Sequence, residues 1–339
     1  RNDLMKKYVN LFVFVFMIGA CLSQGRAQTK SAVSYKNPVV DIAMPDPTVV
    51  KAADGYFYVY ATESTRNVPI MKSKDLVEWT YCNTAFTNKT RPRFEPKAGI
   101  WAPDINYING KYVLYYAMSV WGGEQTCGIG VATANSPQGP FTDHGKMFRS
   151  NEIGVQNSID PSLLQYEGRN YLVWGSFRGI YVIELTADGL SIMSGAKKKR
   201  IAGTAFEAVY IHKHGDYYYM FASIGSCCQG VKSTYKVVVG RSKKVWGPYK
   251  DKTGKPMLKN GYSLVIGAND HFVGNGHGSQ IIQDDAGQDW LLYHGFSRST
   301  PENGRILLLD QIKWDQEGWP YVEGGSPSYE TQKAPVFNN

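Results

Sequence analysis

Charge is scarce in this chain of 339 residues: only 19% are Asp, Glu, Lys or Arg, below the roughly 25% of ordinary soluble domains. That shortage excludes a disordered chain and a long coiled coil. Cysteine is scarce too, five in all, which excludes a small disulfide scaffold. No long apolar run occurs outside residues 8–20, so a multi-span membrane protein is excluded. No segment of helical period stands out and no Pro- or Ser-rich linker divides the chain, so a single domain is expected. The formal charge of +8 comes from scattered Lys and Arg. Their one tight run, 197–200, reads as a solvated loop rather than a polyanion site, and no nucleic-acid partner is expected. What the chain does have is 43% hydrophobic residues, 35 Gly, 23 Tyr, 14 Phe and 8 Trp. That is ample for a core built of strands and turns.

The apolar run follows Met5, Lys6 and Lys7, the charged-then-apolar order of a secretory signal, and residues 1–27 are read as that region. Two cleavage patterns compete. Ile18-Gly19-Ala20-Cys21 resembles a lipobox that would leave a lipid on Cys21, the only membrane attachment expected. Gly25-Arg26-Ala27 suits ordinary signal peptidase. Either route predicts an exported protein, whether periplasmic, extracellular or held at the outer surface. Of the remaining cysteines, Cys82, Cys127, Cys227 and Cys228, none has metal-type spacing. Neighbouring cysteines seldom bridge, because a relaxed disulfide needs a wider Cα separation. Packed thiols, with one bridge at most, are the expectation.

One phrase recurs five times: a polar or acidic residue, a short apolar strand, a turn rich in Asp, Asn and Gly, and an aromatic-rich strand. The copies begin at Asp46, Asp104, Asp160, Glu207 and His277, spaced 58, 56, 47 and 70 residues apart. Each reads as a β-hairpin, and the spacing is near that of a four-stranded propeller blade. The predicted fold is all-β: a five-bladed β-propeller in one domain over residues 35–330. Blades converge on one axis, so the five leading residues should meet around a central channel. Four carboxylates and a histidine there are costly to desolvate unless hydrated, hydrogen-bonded or bound to a cation. Several carboxylates beside flat aromatic faces suit glycoside hydrolysis, which needs one protonated acid and one ionised base or nucleophile. Trp101, Trp121, Phe177 and Phe206 are the candidate cleft aromatics.

Asp46-Pro47, Trp101-Ala102-Pro103-Asp104, Ser158-Ile159-Asp160-Pro161, Phe206-Glu207-Ala208 and Gly276-His277-Gly278-Ser279 together resemble glycoside hydrolase family 43. The likeness runs from about residue 40 to 322. Within it, Ser226-Cys227-Cys228-Gln229-Gly230, Ser233-Thr234-Tyr235 and Gly247-Pro248-Tyr249 are similar to the endo-acting α-1,5-L-arabinanases. The resemblance implies hydrolysis of arabinan with inversion by a chain acting alone. It implies Asp46 as general base, Glu207 as general acid and Asp160 as the residue that tunes the acid. It also implies Asn157, Gly122, Ser176 and Phe177, with Asp46 and Asp160, as substrate contacts, and His277 as the protein ligand of a largely hydrated calcium ion. The setting of His277 departs from the usual Gly-Pro-Gly-His-Asn-Ser, since this chain reads Gly274-Asn275-Gly276-His277-Gly278-Ser279. Asp104 is expected to have a structural role. The alternatives are an exo-acting arabinanase, an arabinofuranosidase or a β-xylosidase on the same scaffold, and, more remotely, a propeller lectin.

Overall fold

The computed structural model describes residues 33–338, so both readings of the export segment lie outside the described residues. Five antiparallel sheets form five blades. Blade I comprises Thr48–Lys51, Phe57–Tyr60, Pro69–Ser73 and Thr80–Thr84. Blade II is Gly99–Ile108, Lys111–Ser119, Gly128–Ala134 and Thr142–Arg149. Blade III is Ser162–Tyr166, Arg169–Trp174, Ile180–Glu184 and Lys199–Ala202. Blade IV is Glu207–His214, Tyr217–Ile224, Lys236–Ser242 and Ser263–Ile266. Among the described residues the only α-helix is the single turn Ser150–Ile153. The five-bladed, all-β expectation holds.

Blade V is assembled from both ends of the chain. Phe272–Gly276, Asp289–Ser297 and Ile306–Trp314 come from the C-terminal part, and the outer strand is Val40–Ala43, which pairs with Ile306–Trp314. Asn37 locks this closure. Its side chain donates to Leu309 O and accepts from Leu309 N at 3.0 and 2.9 Å. A ring so closed leaves no gap between the first and last blades.

Apolar side chains fill each blade-to-blade interface in turn. Tyr58, Tyr60 and Ile70 meet Leu114 and Tyr116 between blades I and II, while Val49, Phe57 and Val59 meet Trp290 and Leu292 between I and V. The other three interfaces repeat the pattern. On Asp289–Ser297, Trp290 and Leu292 face blade I while Leu291 and Tyr293 face blade IV. Side chains alternate along a strand, and here both faces are buried, so the sequence reads as a continuous apolar run.

The inner strands carry one residue per blade with left-handed backbone: Asp46 (φ 54°), Ala102 (42°), Asp160 (55°), Ala208 (54°) and His277 (52°). Non-glycine residues seldom adopt this conformation. Two residues later, Thr48, Asp104, Ser162 and Tyr210 each enter the ladder with the second strand. Ser279 does so through its backbone N–H to Leu292 O. This frame corrects the expectation that Asp46, Asp104, Asp160, Glu207 and His277 share one blade position. Asp46, Asp160 and His277 are equivalent, Glu207 stands one residue earlier, and Asp104 two residues later. The register shifts between Trp101 and Asp104 and between Glu207 and Tyr210 enclose this left-handed position, which alanine occupies in blades II and IV, so the carboxylates of those blades stand beside it.

Candidate active site

At one end of the channel, loops from all five blades enclose a cleft of about 1680 Å³, counting its open mouth. It brings together Asp46, Gly122, Asn157, Asp160, Ser176, Phe177, Glu207 and His277, the residues expected from the sequence to act on, contact or hold substrate or metal. Asp104 instead lines a smaller pocket further along the channel. Its carboxylate accepts hydrogen bonds from Asn106 Nδ2 (2.6 Å), Leu163 N (2.8 Å) and Gln280 Nε2 (3.0 Å). It therefore ties blades II, III and V together, and burial pushes its pKa up to about 7.

Asp46 lies among cations and donors. Arg305 Nη1 donates to Oδ1 at 2.9 Å and Thr62 Oγ1 to Oδ2 at 2.6 Å, and His277 Nδ1 is 3.2 Å from Oδ1. Burial by itself would raise the pKa, but Arg305 and then His277 outweigh it and hold the carboxyl well below the usual carboxylate range. The backbone N–H of Asp46 donates to His294 Nδ1 at 3.0 Å, which places the His294 proton on Nε2. Burial lowers the His294 pKa to about 4, so this ring is neutral. His277 is opposite in sign: burial disfavours its charge, but Asp46 and then Asp160 overcome that and push it up to about 9.

Glu207 has hydroxyl partners. Ser176 Oγ donates to Oε2 and Tyr235 OH to Oε1, both at 2.6 Å. Asn157 Nδ2 in turn donates to Ser176 Oγ at 3.0 Å, so it orients the hydroxyl that orients the acid. Asp160 Oδ2 accepts the backbone N–H of Ala208 at 3.1 Å. Both carboxyls are raised, chiefly by burial; for Asp160 the charge of Glu207 adds to the effect. Like charges confined in a dry site favour keeping one proton between them. The cleft thus presents an ionised carboxylate and a protonated carboxylic acid together, the requirement for acid–base cleavage of an acetal.

Trp101 and Trp121 approach with ring centroids 5.6 Å apart, and Trp121 is 80% exposed. With Phe177 they supply apolar faces to the cleft. Phe206 does not: it is fully buried between blades III and IV, because its strand turns the following residue, Glu207, toward the opening. Among the described residues the cysteines form one bridge, and it joins the neighbours Cys227 and Cys228, with Cα atoms 3.8 Å apart, against the rule that such pairs seldom bridge. The turn that holds them is pinned by Thr234 N and Tyr235 N donating to Ser226 O, and the pair lines the cleft. Cys82 and Cys127 remain free thiols.

Sequence reasoning missed Arg305, Thr62 and His294. Arg305 is a lone Arg before an apolar strand and carries no motif. His294 interrupts the apolar run Asp289–Ser297, the one signal that could have singled it out.

A propeller with an acid–base carboxylate set in an aromatic cleft defines a class, the carbohydrate hydrolases of this fold. Residues 35–320 match the family described as Glycosyl hydrolases family 43, and the chain belongs to it; it is a glycosidase. It is 36% identical over 306 residues, 82% of this chain and 86% of the other, to an extracellular exo-α-(1→5)-L-arabinofuranosidase of Cellvibrio japonicus. It is also 36% identical over 289 residues, 81% and 86% of the two chains, to an extracellular endo-α-(1→5)-L-arabinanase of Bacillus subtilis. A solved Cellvibrio cellulosa α-L-arabinanase in complex with arabinohexaose superposes with a TM-score of 0.76. It shares 33% identity over 84% of this chain and 96% of that one.

Proposed function

We propose that this glycosidase is an exported endo-acting α-1,5-L-arabinanase that cleaves arabinan with inversion. Asp46 is the general base that activates water, and Glu207 is the general acid. Asp160 tunes Glu207 through its charge, and Asn157 positions it through Ser176. The observation that carries this assignment is the opposite surroundings of the two carboxyls: Arg305 holds Asp46 well below the usual carboxylate range, while burial with only hydroxyl hydrogen-bond partners raises Glu207. Gly122, Phe177, Trp101 and Trp121 supply the surface over which sugar rings lie. Endo action is supported by the 36% identity to a Bacillus subtilis relative described as an endo-α-(1→5)-L-arabinanase. Export is supported by two relatives described as extracellular.

A calcium ion beside His277 fits the residues present. The adjoining channel pocket is lined by Asp104, Asp160, Gln280 and His277, a lining rich in the oxygen donors that a hard cation prefers. Binding there would require His277 in its neutral form, so that the ion takes the place of the imidazole proton facing Asp46 and Asp160. When bound, the ion supplies positive charge that offsets the surrounding carboxylates.

Incubation with linear arabinan, with early products resolved by size and by anomeric form, tests the whole reading. Mixed oligomers of inverted configuration are expected. A single released size would favour the exo mode of the Cellvibrio relative, and retained configuration would remove the water-activating role of Asp46.

A further inference from the structure

At the far end of the blade IV inner strand from Glu207, three metal-type side chains converge. His212 and His214 are two residues apart on Glu207–His214 and therefore project to the same face. Asp289, the first residue of Asp289–Ser297 in blade V, meets them there. One ligand atom from each of the three lies within 4.8 Å of the others. Seven residues at about 3.3 Å each place His214 roughly 23 Å along the strand from Glu207, remote from the cleft and from His277.

The surroundings hold these groups in place. The Trp314 ring stacks on His214 with centroids 3.7 Å apart and planes 5° apart. The same indole donates Nε1–H to Asp289 Oδ2 at 2.8 Å, while Gln283 Nε2 donates to Oδ1 at 3.2 Å. Such outer partners fix the orientation of metal ligands. Each carboxylate oxygen still has a lone pair free. Asp289 is 4% exposed, and its nearest cation-capable neighbour among the described residues is His214, at 3.8 Å. The buried carboxylate therefore lacks a close counter-charge.

We propose that His212, His214 and Asp289 bind a divalent transition-metal ion of the zinc type and thereby pin blade IV to blade V. Two imidazoles and one carboxylate suit zinc and its neighbours, whereas calcium and magnesium prefer oxygen alone. Zinc bonds of about 2.1 Å separate tetrahedral ligand atoms by about 3.4 Å, so small side-chain rotations close the present arrangement. Water completes the shell.

The test uses the whole exported chain without a polyhistidine tag, stripped of metal and titrated with zinc chloride alone at neutral pH against a chromophoric chelator. Cobalt(II) serves as a second, spectroscopic probe. One zinc per chain is expected, together with a visible cobalt band and a melting temperature that rises with zinc. His212→Ala and His214→Gln should each weaken zinc uptake at least about tenfold and abolish the thermal shift. His277→Ala should leave both intact. The metal-free melting temperature of each variant separates loss of a ligand from loss of fold. Zinc uptake absent in the native chain, unchanged in both histidine variants, or lost instead in His277→Ala, would overturn the proposal.

Discussion

Asp46 and Glu207 are both buried carboxylates on one cleft, yet the two sides of that cleft treat them oppositely. On the side built by blades I and V, Asp46 has Arg305 at 2.9 Å and His277 at 3.2 Å. On the side built by blades III and IV, Glu207 has only hydroxyl donors, with Asp160 as a like charge nearby. Burial pushes both pKa values upward; the charge of the neighbours separates them. A single propeller face thereby holds two buried carboxyls whose pKa values are shifted in opposite directions.

The largest effect that could break this comparison is removal of either carboxyl. Glu207→Gln and Asp46→Asn should each lower kcat on linear arabinan by about 10³-fold or more, with the fold retained by circular dichroism. Activity within tenfold of the native chain in either variant would show that the two sides do not divide the chemistry.

Next in size is Arg305→Met. The guanidinium holds Asp46 ionised, so without it the carboxylate takes up its proton at a higher pH. The acid limb of kcat/KM should move up by about 1–3 pH units, with loss concentrated at acidic pH. An unmoved acid limb would remove Arg305 from the account of Asp46.

Tyr235→Phe sharpens the other side. The Tyr235 hydroxyl favours the ionised form of Glu207, and its loss should raise the Glu207 pKa further. The alkaline limb should then move to higher pH by about one unit or less, the worth of one hydrogen bond. A downward shift would mean that the hydroxyl favours the protonated acid.

The smallest effect concerns the Cys227–Cys228 pair, which lines the cleft without touching either carboxyl. Cys227→Ser/Cys228→Ser should raise KM for arabinan about twofold to fivefold, roughly 0.5–1 kcal/mol, and leave kcat unchanged. A fall in kcat instead would place this turn in the positioning of Glu207.

The five hairpins were legible because strand alternation and Asp, Asn and Gly turn chemistry are local properties. The cleft candidates were legible because short motifs such as Asn157-Ser158-Ile159-Asp160 and Phe206-Glu207 lie in family order. Residue type misled in two places. Matching carboxylates across the repeats shifted the frame at Asp104 and Glu207, where register shifts separate chemical from backbone equivalence. An aromatic beside a site residue suggested that Phe206 faces the cleft, whereas strand alternation sends it into the core.

The chain's own pattern of strands, turns and motifs was sufficient to specify five blades, an all-β fold and the carboxylates that one cleft brings together. Only the closed ring decided their electrostatics. Arg305 reaches Asp46 across 259 residues of sequence and His294 across 248, and Val40–Ala43 completes a blade begun at Phe272. The physical reason is that a pKa depends on which charges and dipoles lie within a few ångströms, and in a propeller those neighbours come from blades far apart along the chain.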